Sequence, residues 1–139
     1  MPALPWKTTS VVDPATECTV MASRLPLRHH RHIPAFLRWT LRIRRQLARS
    51  PGLVGYSLDA RLLRKTFWTV SAWTGRPELA RFDGADPHRS ATRAIAPHME
   101  RSTFVMWTCP AADLPVAWPE ARRRLQAAVP AAAPAATPA

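Results

Sequence analysis

His88, His98 and Tyr56 are the side chains whose types suit acid–base work on a bound molecule. His88 follows Asp86-Pro87, a pair that caps and opens a helix, so it stands in that helix's first turn. The positive end of the helix dipole favours a neutral imidazole there, able to take a proton or hold a metal. A structural histidine tying helix to sheet is the plainer reading. His98 follows Pro97 and precedes a strand, so it faces the same cavity or lies in a surface turn. Tyr56 is the only tyrosine. Its hydroxyl could donate to a substrate oxygen, or find a backbone partner instead. Trp68, Trp73, Trp107 and Phe67 offer flat apolar surface for a planar ligand, or packing for a core. Arg64 and Lys65 open a strand and could bind a carboxylate at a cavity rim. His29, His30 and His32 share a loop with no nearby Cys, Asp or Glu, so no metal is expected.

These residues need a scaffold, and the hydrophobic pattern supplies one. Glu17 to Leu25 reads as a strand, with Val20 and Ala22 on one face and Thr19, Met21 and Ser23 on the other. A helix starts near Pro34, with Ile33, Phe36, Leu37, Leu41, Leu47 and Ala48 as its apolar stripe. Arg38, Arg42, Arg45 and Arg49 form the opposing stripe, and Ser50-Pro51-Gly52 ends it. Leu53 to Leu58 and Lys65 to Thr74 read as a strand pair joined by a short connection. In the second, Phe67, Thr69, Ser71 and Trp73 alternate with Trp68, Val70 and Ala72. A short helix starts at Thr74-Gly-Arg-Pro-Glu, and Asp83-Gly-Ala breaks it. A second segment runs from His88 to about Ile95. Glu100 to Cys109 is the last strand, with Phe104, Met106 and Thr108 opposite Val105, Trp107 and Cys109. Trp118 to Ala128 is a terminal helix with Arg122, Arg123 and Arg124 exposed. The order βαββαβ plus a helix predicts an α+β, ferredoxin-like fold. The apolar load on both sheet faces predicts that two copies cover each other.

The 139 residues, 47% of them hydrophobic, fit one domain at 16–128. Residues 1–15 read as a flexible arm, and 129–139 as an Ala/Pro tail too poor in large apolar residues for a core. No apolar run reaches the ~18–20 residues of a membrane span. The N-terminus lacks a secretory pattern, which predicts a cytoplasmic protein. Cys18 and Cys109 fall at the ends of strands that lie side by side. A reducing compartment leaves them as two thiols. The net charge of +11 raises nucleic acid as a partner. The positive charge is spread along the chain and is nearly all arginine, with only Lys7 and Lys65 as lysines, which disfavours that reading.

The runs Val20-Met-Ala-Ser-Arg, Phe36-Leu-Arg-Trp-Thr-Leu-Arg, Gly55-Tyr-Ser-Leu, Phe67-Trp-Thr-Val-Ser-Ala-Trp and Phe104-Val-Met-Trp-Thr resemble an uncharacterised bacterial group. Pro87-His-Arg and Leu114-Pro-Val-Ala-Trp-Pro-Glu-Ala carry the same likeness, which spans roughly residues 16–126. This DUF3291-like group sits within the antibiotic-biosynthesis-monooxygenase-like superfamily, and some members are labelled spheroidene monooxygenase-like. The resemblance implies a dimeric α+β barrel: a homodimer with a cavity between sheet and helices in each subunit. It implies a small monooxygenase-like protein that binds an apolar, planar aromatic or polyene ligand and oxidises it without an organic cofactor. In that version His88 takes or steers a proton, and Tyr56 or His98 donates. The alternatives are a heme protein with His88 or His98 as axial ligand, and a non-catalytic binding module. The heme-degrading members of the superfamily use an asparagine, a tryptophan and a histidine. Phe82 and Thr92 stand at or near the last two positions here, and the chain has no asparagine.

Overall fold

The computed structural model describes residues 4–128; the expected Ala/Pro tail lies outside the described residues. In chain order the elements are β1 (Lys7–Thr8), β2 (Glu17–Pro26), α1 (Ile33–Ala48), β3 (Leu53–Arg61), β4 (Thr66–Trp73), α2 (Arg76–Gly84), α3 (His88–Ile95), β5 (Thr103–Pro110) and α4 (Trp118–Ala128). The strands form one sheet in the order β1-β3-β4-β2-β5. Every neighbouring pair is antiparallel. This is the expected α+β, ferredoxin-like βαββαβ order with a final helix.

Part of the stretch read as a flexible arm belongs to the sheet. Lys7 and Thr8 pair with Tyr56 and Gly55 along the outer edge of β3. The reason lies in Gly55, where a Cβ would come within 2.4 Å of the Trp6 ring. Without that Cβ, the indole lies flat on the strand and holds the arm in place. At the start of β3, Gly52 takes a left-handed φ of 85°. A side chain there would also meet Glu78 and Thr74.

α1 turns the expected Ile33, Phe36 and Leu47 inward, but not Leu37, Leu41 or Ala48. Ile33, Phe36, Trp39, Ile43 and Leu47 pack on the sheet. Leu37 and Leu41 are 38% and 57% exposed. They lie one residue round from the inward row, which is a rotation of about 100°. Trp39 and Ile43 occupy the space over β3 and β4 in their place.

The opposite sheet face carries Cys18, Val20, Ala22, Val70 and Ala72, packed against Ala121 and Leu125 of α4. Trp6, Trp107 and Trp118 close its margins. The sequence reading assigned this covering to a second copy. Here the chain's own α4 and N-terminal segment provide it. Cys18 and Cys109 are direct cross-strand partners, as expected, and both are free thiols. Burial pushes both thiols up, away from the reactive thiolate.

Arg122, expected to be exposed, instead fixes α4 to the sheet. Asp59 in β3 is 2% exposed. The Arg122 guanidinium donates to its Oδ2, and Arg61 Nε donates to the same oxygen at 3.3 Å. Arg122 also lies over the rings of Trp68 and Trp118, at 4.6 and 5.3 Å. Arg122→Met should cost about 3 kcal/mol in urea unfolding, because it leaves a buried carboxylate with only an exposed arginine beside it. The double variant Asp59→Leu/Arg122→Met should recover most of that loss, since the pair is then removed together.

Candidate functional site

The helix-facing side of the sheet is built in cross-strand rows. Thr19 sits between Trp73 and Thr108, Met21 between Ser71 and Met106, and Ser23 between Thr69 and Phe104. Thr19, Ser23 and Ser71 are buried. The hydroxyls of Ser23 and Thr69 bond to each other, and Trp73 Nε1 donates to Ser71 Oγ at 2.9 Å. The helices cover β3 and β4 but leave the outermost strand bare. Phe104 is 59% exposed and Met106 40%. The result is an open apolar strip along β5, backed by a row of buried hydroxyls from β2 and β4. The alternation on each strand was legible in the sequence, but the hydroxyl row was passed over because each Ser and Thr is unremarkable alone.

The site residues expected from the sequence do not converge. Trp73 is fully buried on this face and its ring lies 5.2 Å from that of Phe82. Phe82 in turn lies 4.8 Å from His88, so it separates that imidazole from the sheet. The His88 ring points back to its own chain, with Nδ1 3.2 Å from the Asp83 carbonyl and Nε2 3.8 Å from the Asp83 carboxylate. Its backbone N–H donates to Gln46 Oε1 at 2.9 Å, tying α3 to α1. Burial holds the Asp83 carboxyl above its usual range, with His88 pulling the other way. Asp86 does hold the start of α3: its Oδ1 accepts from the Ser90 N–H at 3.1 Å. Those Ser90 bonds lower its pKa.

Tyr56 faces α1, where Arg44 Nε donates to its hydroxyl at 3.5 Å. It lies on the row of Ser71, Met21 and Met106, but three strand spacings from β5, or about 14 Å. It therefore cannot share a small ligand with that strand. Phe67 is buried and stacked on Phe36, with centroids 4.1 Å apart. Trp68 and Trp107 lie on the α4 face, each under an arginine, Arg122 and Arg124 respectively. They are packing residues there and cannot form a wall with Trp73. Arg64 is exposed in the turn between β3 and β4, away from the strip.

His98 sits past the far end of α3 from His88, so the two cannot act on one molecule. Its ring stacks on His32 at 3.8 Å between centroids, and His32 lies 6.1 Å from His29. Both His88 nitrogens face Asp83, and the His98 ring lies flat on another imidazole. A cleft of about 440 Å³ between α1 and α2 has Phe82 as its one large apolar wall. Pro51, Ala85 and Pro87 line it as well, with Arg49, Arg81, Glu78 and Asp86 among the rest. Among the described residues, no group of three or more His, Cys, Asp or Glu could hold a metal ion. Among these residues, too, no helix is long and apolar enough to cross a membrane.

No family model matches the chain, and no curated protein matches it. Solved structures do. A conserved protein from Methanosarcina mazei superposes with a TM-score of 0.60 at 7% identity, over 68% of this chain and 94% of that one. An antibiotic biosynthesis monooxygenase matches with a TM-score of 0.58 at 14% identity, over 64% of this chain and 95% of that one. SnoaB, a cofactor-independent oxygenase from Streptomyces nogalater, matches with a TM-score of 0.54 at 19% identity, over 67% and 93%. At these identities the likeness is one of fold. This chain has the ferredoxin-like fold of the antibiotic-biosynthesis-monooxygenase type.

The His32–His98 stack has a pH signature. Burial, then the charges of His98, Arg31 and His29, push His32 below its ordinary value of 6.5. The unfolded chain therefore takes up the proton first as pH falls. The stability from neutral His32 is complete above about 6.5 and drains away as pH drops towards the lower folded value. His32 Nδ1 is also buried without a partner. His32→Phe should keep the ring stack, remove the orphaned nitrogen and flatten the acid side of a stability-versus-pH curve measured by urea unfolding.

Proposed function

We propose that this protein is a small oxygenase that takes an apolar, planar aromatic molecule against the β5 strip and oxidises it without an organic cofactor. The observation that carries this reading is the exposure of Phe104 and Met106 beside the buried hydroxyls of Thr19, Ser23 and Ser71 and the half-buried Thr69. Two apolar side chains facing solvent next to satisfied hydroxyls offer a ring both a flat contact and oxygen partners. The fold shared with a cofactor-independent oxygenase supports the reaction class.

In this reading the substrate is its own reductant. A ring CH2 made acidic by a neighbouring oxygen group loses a proton to solvent, and the carbanion gives electrons to O2. One oxygen atom ends as C=O on that carbon. The other leaves as water with the two hydrogens. The hydroxyl row holds the substrate oxygen while charge develops on it. A second copy meeting the unpaired outer edge of β5 would close the strip and make the homodimer.

The test is oxygen uptake by the purified protein with a polycyclic hydroxyarene that carries a ring CH2, followed beside the quinone absorbance. The protein should accelerate uptake over buffer. Met106→Lys, at a half-exposed position that tolerates charge, should lower that rate about tenfold by crowding the strip, a barrier change of ~1.4 kcal/mol. No acceleration, or equal rates in Met106→Lys and Phe104→Ser, would rule the reading out.

A further inference from the structure

A second cleft lies where β1 joins the outer edge of β3 beneath α1. It measures about 260 Å³ and is lined by Lys7, Leu41, Arg44, Arg45, Ala48 and Tyr56. Its composition is lopsided: three cations and an apolar floor. Among the described residues, none of the three cations is paired with a carboxylate. Tyr56 is 5% exposed, yet it lines the cleft. Its oxygen accepts from Arg44, which leaves the phenolic proton free to donate. Lys7 is brought alongside because it is the cross-strand partner of Tyr56. Leu41 is 57% exposed over the same spot, a large apolar side chain with no intramolecular cover.

We propose that this cleft binds a small organic acid. The carboxylate is held by Arg44, Arg45 and Lys7 with the Tyr56 hydroxyl, and its apolar body lies on Leu41 and Ala48. Unneutralised like charges around a low-dielectric floor repel one another, and an entering anion relieves that repulsion. A plain oxyanion would leave the apolar walls unused, and a neutral hydrocarbon would leave the cations unmet. The volume suits a single ring rather than a polycycle. The site is about 14 Å from β5 and stands independently of the oxygenase reading.

Tyr56, as the only tyrosine, gives one resonance when the protein is grown on tyrosine labelled at the ring Cζ. Benzoate should move that resonance to saturation. Benzyl alcohol and inorganic phosphate should each bind at least about tenfold more weakly, the worth of one charge-assisted contact. Arg44→Gln and Arg45→Gln should each weaken benzoate by a similar factor. Arg38→Gln, which removes the same charge from α1 outside the cleft, should leave it unchanged. Arg45 is exposed, so its variant keeps the test decisive if Arg44→Gln folds poorly. An unsaturable shift, parity with benzyl alcohol or phosphate, or unaltered binding in Arg45→Gln would overturn the proposal. Oxygen uptake should not change in Arg45→Gln, so the two readings fail separately.

Discussion

A carboxylate in the middle of a sheet face is tolerable only if a cation comes to it, and Asp59 sets that requirement here. Its side chain is 1% exposed, so it draws on almost no water. Arg122 meets it from α4 while lying on Trp68 and Trp118, which places the helix across the face. Once α4 is pinned, the sheet's small residues Ala22 and Ala72 find Ala121 and Leu125 above them. One Oδ1 remains buried without a partner. Continuum reasoning makes such pairs poor sources of net stability compared with apolar packing. What the pair supplies is orientation, since no other position of α4 leaves Asp59 compensated.

Closing that face with the chain's own helix changes what the other face can do. A ferredoxin-like sheet has two apolar sides, and α1 to α3 are too short to roof five strands. The uncovered part falls on β5, at the sheet edge, where Phe104 and Met106 meet solvent. The neighbouring interior rows are hydroxyls rather than leucines, which keeps the covered ground beside the strip polar and satisfied. An exposed apolar band next to ready hydrogen-bond partners marks a contact surface more specifically than exposed hydrophobes alone.

The alternation of residues in β2, β4 and β5 was legible in the sequence because period-two patterns survive tertiary packing. Cys18 opposite Cys109 followed from strand order alone. Three features were not legible, each for a local reason. Ile33, Phe36 and Leu47 of α1 face the sheet as their spacing predicts, but Trp39 and Ile43 take the places expected for Leu37 and Leu41, since all four are apolar and periodicity cannot rank them. The joining of the arm to the sheet depends on Trp6 meeting the missing side chain of Gly55, a long-range fit with no sequence signature. The site residues were chosen for side-chain chemistry, yet what decides their roles is direction. Tyr56 points to Arg44, His88 to Asp83 and His98 to His32, and none of these partners is near in type or spacing to a known motif.

Direction also explains the basic composition. Arg42 lies over Trp39, Arg122 over Trp68 and Arg124 over Trp107, so three arginines serve as lids on tryptophans. A guanidinium suits this use because it is planar and weakly hydrated, whereas an ammonium holds its water. Each lid contributes roughly 0.5–2 kcal/mol depending on how dry the contact is. At these positions lysine would be a poorer replacement. Subtracting these lids, and the arginines bound to Asp59 and Glu120, still leaves free charge on α1. There Arg44 and Arg45 converge with Lys7 on a buried hydroxyl.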